Sequence, residues 1–193
     1  MNIQLGRSKV VRRAYGIDEI ALVPGGKTVD PDITNTSLIL GGKELEIPII
    51  ASAMDGVVDV MMAAELTKLG ALGVLNLEGV QTRYQNPKKV LNRISSVGKE
   101  KFVPLMQEIY KQPIQPNLIK QRIEEIKELG GIAAGSGTPL AAMTFQETIN
   151  EAGADLFFLQ ATVVSTEHVG SEHQKKLDIS NLCKTIGIPV IVG

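Results

Sequence analysis

Short apolar runs recur along the chain without regular alternation of polar and apolar residues. Strands that are covered on both faces have such continuous runs, whereas strands with one solvated face alternate. The runs predict buried parallel strands at residues 48–54, 72–77, 131–135, 155–161 and 189–193. A turn at Gly41-Gly42 predicts a hairpin of two short strands ahead of the first run.

Helical patterns separate the predicted strands. Asp59 is suited to cap a helix that runs to about residue 69, and Thr138-Pro139 combines a cap with a proline at the first helical position. Residues 116–130 carry isoleucines at helical spacing between a proline and a glycine. Further helices are predicted at 179–186 and, within the long interval between the second and third strands, at 87–95.

Alternation of strands and helices indicates a parallel sheet, for which two architectures compete. A doubly wound open sheet predicts a phosphate-binding motif such as GxGxxG after the first strand, and the sequence contains none. A (β/α)8 barrel places polar residues at the carboxyl ends of its strands, as this sequence does, but typically has about 250 residues. Because five strands would leave an open edge, the chain is predicted to be either an open sheet or part of a longer barrel.

Composition narrows the class of protein. The 193 residues fit one ordinary domain, and 20 basic against 21 acidic residues give a net charge of −1. That balance argues against a nucleic-acid partner, and no apolar run approaches the roughly 18 residues of a membrane span. A soluble cytoplasmic protein is therefore expected. The single cysteine, Cys183, excludes a disulfide framework and a cysteine zinc site, while His168 and His173 are expected in a solvated loop, so no metal site is predicted.

Four segments together resemble the IMP dehydrogenase/GMP reductase family. They are residues 12–24 (RRAYGIDEIALVP), 48–55 (PIIASAMD), 70–77 (GALGVLNL) and 152–161 (AGADLFFLQA). Each is similar to a family motif, and they occur in the family's order along essentially the whole chain. The match is closest to an IMP dehydrogenase-related subfamily of cyanobacteria and actinobacteria that lacks regulatory CBS modules.

The resemblance implies a (β/α)8 barrel, of which this chain would hold the first five strands as an N-terminal half. It implies two parts, an N-terminal segment with short strands at 1–47 and the first half of the barrel at 48–193. The interval 78–129 is too short for two CBS modules, so none is expected. Family members are usually homotetramers, and the same is expected of the full-length protein.

The family reaction oxidises IMP to XMP with NAD as cofactor, in guanine nucleotide synthesis. An activated cysteine thiolate attacks the purine. The resemblance places that cysteine in a glycine-rich loop after the sixth strand, so no catalytic residue is expected in this chain and the fragment alone is expected to be inactive. Cys183 lies in a predicted helix and is interpreted as a small buried side chain.

Site residues follow from the same resemblance. The residues that match substrate-contacting positions are Ser52, Met54 and Asp55. The residues that match cofactor-contacting positions, or could line the same cleft, are Gln160, Thr162 and Thr138. Gln160 stands where the family usually has an aspartate that bonds the cofactor ribose, and an amide lacks the charge that strengthens such a bond.

Two other functions stay open. GMP reductase has the same fold and uses NADPH on a related purine nucleotide, GMP. A non-catalytic purine-nucleotide-binding protein is the alternative from a different class.

Overall fold

The computed structural model, which describes residues 2–160 and 179–192, divides the chain into two units. They are Met1–Asn35 and Thr36–Gly193. The hairpin around Gly41-Gly42 belongs to the second unit, together with the parallel strands.

The first unit contains a hairpin that the apolar pattern did not predict. Strand β1, Asn2–Leu5, pairs antiparallel with β2, Lys9–Arg12, and Gly6 in the turn has a φ of 65°. All four residues of β2 are exposed, so the strand has no buried face that could impose an alternating pattern. Short 3-10 helices follow at Ile17–Glu19 and Pro31–Ile33.

The second unit is built on a sheet of five parallel strands in the part of the chain that the structure describes. They are β5 (Ile50–Ala51), β6 (Leu72–Asn76), β7 (Ala134–Gly137), β8 (Leu156–Leu159) and β9 (Val190–Val192). They lie side by side in sequence order, β5-β6-β7-β8-β9. A doubly wound sheet reverses its strand order, whereas a (β/α)8 barrel adds each strand to the last. The order therefore favours a (β/α)8 barrel, of which these five strands form part.

A separate hairpin precedes this sheet, as predicted. Strand β3, Leu38–Leu40, pairs antiparallel with β4, Lys43–Leu45. Gly41 and Gly42, with φ of 55° and 82°, form the turn. Positive φ at both central residues suits a two-residue hairpin loop and favours glycine.

The helices lie close to their predicted places. They are α1 (Val60–Lys68), α2 (Val80–Arg83), α3 (Pro87–Ser96), α4 (Lys99–Lys111), α5 (Pro116–Glu128), α6 (Pro139–Glu151) and α7 (Ile179–Thr185). The side chain of Asp59 accepts a hydrogen bond from the Met62 amide at 2.8 Å, and Thr138 accepts one from the Ala141 amide at 3.4 Å. Both predicted caps are confirmed.

Two details differ from the prediction. Strand β7 begins at Ala134 rather than at 131, because Gly130, with a φ of 80°, and Gly131 close the end of α5 through bonds to Lys127 and Ile126 carbonyls. The interval between β6 and β7 holds α4 as well as α2 and α3. Helix α4 escaped prediction because Pro104 lies inside it, where proline normally ends a helix.

Apolar side chains cover both faces of the sheet, which explains why its strands do not alternate. Leu75, Leu77 and Phe157 pack with helix residues such as Ile123 of α5 and Ile149 of α6. The opposite-face cluster consists of Leu45, Leu72, Val74, Ala134 and Leu156. Burying each Leu, Ile or Phe side chain contributes about 1.5–3 kcal/mol, so these clusters fix the positions of the strand ends.

The predicted burial of Cys183 was wrong. Cys183 lies in α7 as expected, but it is exposed. The buried positions in and just after this helix are Leu182 and Ile186, which are four residues apart and share one face. Cys183 follows Leu182 directly and therefore points away from that face.

Candidate functional site

The carboxyl ends of four neighbouring strands meet around a cleft of about 350 Å³. Its lining residues follow β5, end or follow β6 and β7, and follow β8, with additions from α2 and α4. They are Ala53, Asn76, Glu78, Arg83, Tyr110, Ser136, Gly137, Thr138 and Gln160. Apart from Ala53 and Gly137 all have polar or charged side chains, so the cleft offers several hydrogen-bonding groups to a ligand.

Asp55 ties this edge of the sheet together. Its carboxylate accepts hydrogen bonds from the Val80 amide at 3.0 Å, from the Tyr110 hydroxyl at 2.5 Å and from the Asn76 side-chain amide at 3.4 Å. A Cβ built on Gly79 would lie 1.7 Å from the Asp55 carboxylate, so only glycine allows this approach. The loop after β5 is thereby held against the loop after β6.

Tyr110 brings helix α4 to the cleft. Burial raises the pKa of its phenol, and the hydrogen bond to Asp55 raises it further. The hydroxyl therefore stays protonated and acts as a donor to the carboxylate. The Arg83 guanidinium lies 5.5 Å from the Tyr110 ring centre and donates to the Tyr110 and Gln112 carbonyls.

Glu78 joins the end of β6 to the end of β7. Its carboxylate accepts hydrogen bonds from the Thr138 amide at 2.5 Å and from the Thr138 hydroxyl at 3.1 Å. Its own amide donates to the Asn76 side-chain oxygen at 3.0 Å. Thr138, which was predicted for cofactor contact, thus lies in the cleft with its hydroxyl engaged both by Glu78 and by the start of α6.

Gln160, the second predicted cofactor residue, also lines the cleft. Its side-chain oxygen accepts a hydrogen bond from the Ser136 hydroxyl at 2.8 Å, and its amide donates to the Gly137 carbonyl at 3.0 Å. The structure therefore brings Thr138 and Gln160 together across β7 and β8. The third predicted cofactor residue, Thr162, lies outside the described residues.

The predicted substrate residues lie on the segment that follows β5. Asp55 is partly buried in the network described above, whereas Ser52 and Met54 are exposed, Met54 by 53% of its surface. The Ser52 carbonyl accepts from the Met54 amide at 2.8 Å, which bends the chain there. Both side chains are accessible beside the cleft-lining Ala53.

Sequence reasoning did not find Arg83 and Tyr110 as residues of this edge. Both come from the long interval between β6 and β7, from helices α2 and α4. Helix α2 is too short to show a helical period of apolar residues, and Pro104 inside α4 is a residue that normally indicates a helix end. The one available signal was the position of Arg83 a few residues after the end of β6, where barrel loops carry functional side chains.

Two classes of feature are absent from residues 2–160 and 179–192. No group of three or more His, Cys, Asp or Glu side chains there could hold a metal ion. No helix in these same ranges is long and apolar enough to cross a membrane. His168 and His173 lie outside the described residues.

Comparison with known families agrees with this geometry. The sequence model of the IMP dehydrogenase / GMP reductase domain matches residues 14–193. The chain belongs to this family. Its members include oxidoreductases, and the strand-end cleft lies where a barrel of this kind carries its site.

Curated relatives show the same relationship. An uncharacterized oxidoreductase of Mycobacterium leprae is 32% identical over 99% of this chain and 52% of its own length. One from Mycolicibacterium smegmatis is 29% identical with the same coverage. The inosine-5'-monophosphate dehydrogenase of Methanocaldococcus jannaschii is 43% identical over 65 residues, which are 34% of this chain and 13% of that protein. The chain thus spans about half the length of the first two.

A solved structure has the same fold. The IMP dehydrogenase/GMP reductase-like protein from Corynebacterium glutamicum superposes on the chain with a TM-score of 0.84 at 24% identity. The match covers 100% of this chain and 51% of that protein. The parallel sheet is therefore part of a (β/α)8 barrel.

Proposed function

We propose that this chain supplies part of the substrate and cofactor cleft of an NAD-dependent oxidoreductase that converts IMP to XMP in guanine nucleotide synthesis. The observation that carries the proposal is the polar cleft at the carboxyl ends of β5 to β8, in a chain of the IMP dehydrogenase/GMP reductase domain family. A purine nucleotide and a dinucleotide both offer many hydrogen-bonding groups, which suits this lining.

The proposed substrate side is the segment after β5. Ser52 can donate to a phosphate or ribose oxygen, and the exposed Met54 thioether can lie against a purine ring. Asp55 acts on both indirectly, because its carboxylate is held by Val80, Tyr110 and Asn76 and keeps the segment in place. Its role is to position the loop.

The proposed cofactor side is formed by the ends of β7 and β8. With its oxygen engaged by Ser136, Gln160 presents its amide N–H groups as donors to the cofactor. Thr138 lies next to it, and Thr162 is retained as a proposed contact. When bound, NAD would accept a hydride from the purine.

The remaining features of the proposal concern the whole protein. Because the chain spans about half of the curated relatives, we propose that the nucleophilic cysteine comes from outside residues 1–193. The exposed Cys183 in α7 is not part of the strand-end cleft. A homotetramer in the cytoplasm is proposed on the family resemblance.

The test is a pair of absorbance assays on protein expressed from the complete reading frame. With IMP and NAD, the absorbance of NADH should rise, and IMP should be required for the rise. With GMP and NADPH, the absorbance of NADPH should stay constant. A folded protein that consumes NADPH with GMP would instead be a reductase, and one that is inert in both assays would contradict the oxidoreductase proposal.

A further inference from the structure

The cleft contains a carboxylate whose role the resemblance does not assign. We propose that the Glu78 carboxylate accepts hydrogen bonds from the ribose hydroxyls of a nucleotide bound in this cleft. The proposal rests on the proposed function, because it presumes that the cleft receives a nucleotide cofactor. It assigns recognition of the ribose diol to Glu78, after β6, instead of to Gln160, after β8.

Glu78 has the acceptor sites that a ribose diol needs. Among the cleft-lining residues that the structure describes, Glu78 is the one carboxylate. A carboxylate has about four acceptor sites, and Thr138 occupies one on each oxygen. Each oxygen therefore keeps a site for one hydroxyl of a vicinal diol. Dinucleotide-binding proteins commonly use an Asp or Glu for this contact.

Gln160 is a poorer acceptor for the same ribose diol. A diol donates hydrogen bonds, and the Gln160 side-chain oxygen already accepts one from Ser136 at 2.8 Å. What Gln160 offers in addition is a pair of N–H donors. An amide oxygen is also a weaker acceptor than a charged carboxylate.

Glu78 is also held in place before any ligand binds. Two bonds from Thr138 fix the carboxylate, and the bond from its amide to Asn76 fixes the backbone. Nearby Arg83 donates through Nε to the Glu78 backbone carbonyl at 2.9 Å. A preorganised acceptor loses little freedom on binding, which favours affinity.

The test is a set of binding titrations that do not require turnover. Dissociation constants for NAD, AMP and nicotinamide mononucleotide are measured calorimetrically with protein expressed from the complete reading frame and with its Glu78→Gln variant. Glutamine keeps the length of the side chain and an oxygen for the Thr138 amide, but removes the charge. We expect NAD to bind about tenfold more weakly, the size expected for losing hydrogen bonds to a charged group. The mononucleotide that shows the same loss identifies the ribose.

A ligand-side substitution separates recognition from structure. The 2'-deoxy form of the affected mononucleotide should bind the parent protein about tenfold more weakly and Glu78→Gln with little further loss. Glu65→Gln, in an exposed pair on α1, is the charge-matched control and should change neither constant. If Glu78 only ties two loops together, Glu78→Gln lowers the melting temperature while the penalty for the missing hydroxyl stays unchanged, which overturns the proposal.

Gln160→Asp tests the alternative that the ribose diol is recognised at position 160. If Gln160→Asp restores the missing diol partner and tightens NAD while Glu78→Gln has no effect, the proposal is wrong. Failure of all three nucleotides to bind would also overturn it, together with the proposed function. The protein could also fail to turn over IMP while Glu78→Gln and the 2'-deoxy ligand weaken binding without adding to each other. That result would support Glu78 as the diol acceptor and reject only the proposed reaction.

Discussion

Two polar regions of the second unit use their side chains in opposite ways. At the junction of α2 and α5, Arg122 is only 6% exposed and its guanidinium is fully engaged. It donates to the carbonyls of Gln81, Tyr84 and Gln85 and to the carboxylate of Glu125. In the strand-end cleft, by contrast, Glu78 and Gln160 are more accessible and retain hydrogen-bonding capacity.

The difference separates groups that hold the fold from groups that are available to a ligand. A buried arginine is tolerable only when its donors have partners, so the Arg122 guanidinium has no donor left for a ligand. The cleft is held by a few internal bonds that aim its side chains, with acceptors and donors left over. Substitutions should therefore act on stability at the junction and mainly on local geometry at the cleft.

The largest effect is expected at the junction. Arg122→Met should lower the free energy of unfolding by about 3 kcal/mol, because three backbone carbonyls and the Glu125 carboxylate lose their donors. Urea unfolding followed by circular dichroism measures it. Arg93→Met, which removes an exposed pair with Glu108, should leave stability nearly unchanged. Equal effects of the two substitutions would erase the distinction between the regions.

A smaller but local effect is expected at the cleft. Gly79→Ala places a methyl group 1.7 Å from the present position of the Asp55 carboxylate, so the carboxylate must move. We expect a loss of about 2 kcal/mol, as in other overpacked sites. Gly98→Ala is the matched control, since a Cβ there meets nothing within 4 Å. If Gly79→Ala unfolds at the same urea concentration as Gly98→Ala, the close approach is not a constraint.

The smallest effect is expected for Tyr110→Phe, at about 1 kcal/mol for one hydrogen bond to Asp55. The pH dependence of the difference in unfolding free energy between Tyr110→Phe and the parent protein is more informative than its size. The folded state raises the phenol pKa above its usual value of about 10, so the contribution is present below that pH and is lost as the pH rises through the folded value. The unfolding free energies of the two proteins should begin to converge above about pH 10 and become equal only at higher pH. A constant difference would show that the hydroxyl is not a donor to Asp55.

Prediction from sequence succeeded where burial imposes a pattern. The continuous apolar runs identified the strands, whereas Thr138 and Gln160 were named from the family resemblance, and the structure places both beside the cleft. It failed where an element has no buried face, as in β2, or where a local rule is broken, as at Pro104. The contact between Tyr110 and Asp55 joins residues 55 positions apart, and no local pattern encodes such a distance.

The sequence order of the β5–β9 sheet also bears on how the chain folds during its synthesis. Each strand pairs with the one made before it, so a new strand always meets an edge that already exists. The longest wait is for β7, because residues 77–133 must first be translated, which takes on the order of seconds at about 5–20 residues per second. Throughout that time one edge of the apolar strand β6 has no partner strand and is exposed to other molecules near the ribosome. Codon choice within 77–133 is therefore expected to influence the yield of folded chain more than codon choice between β7 and β8.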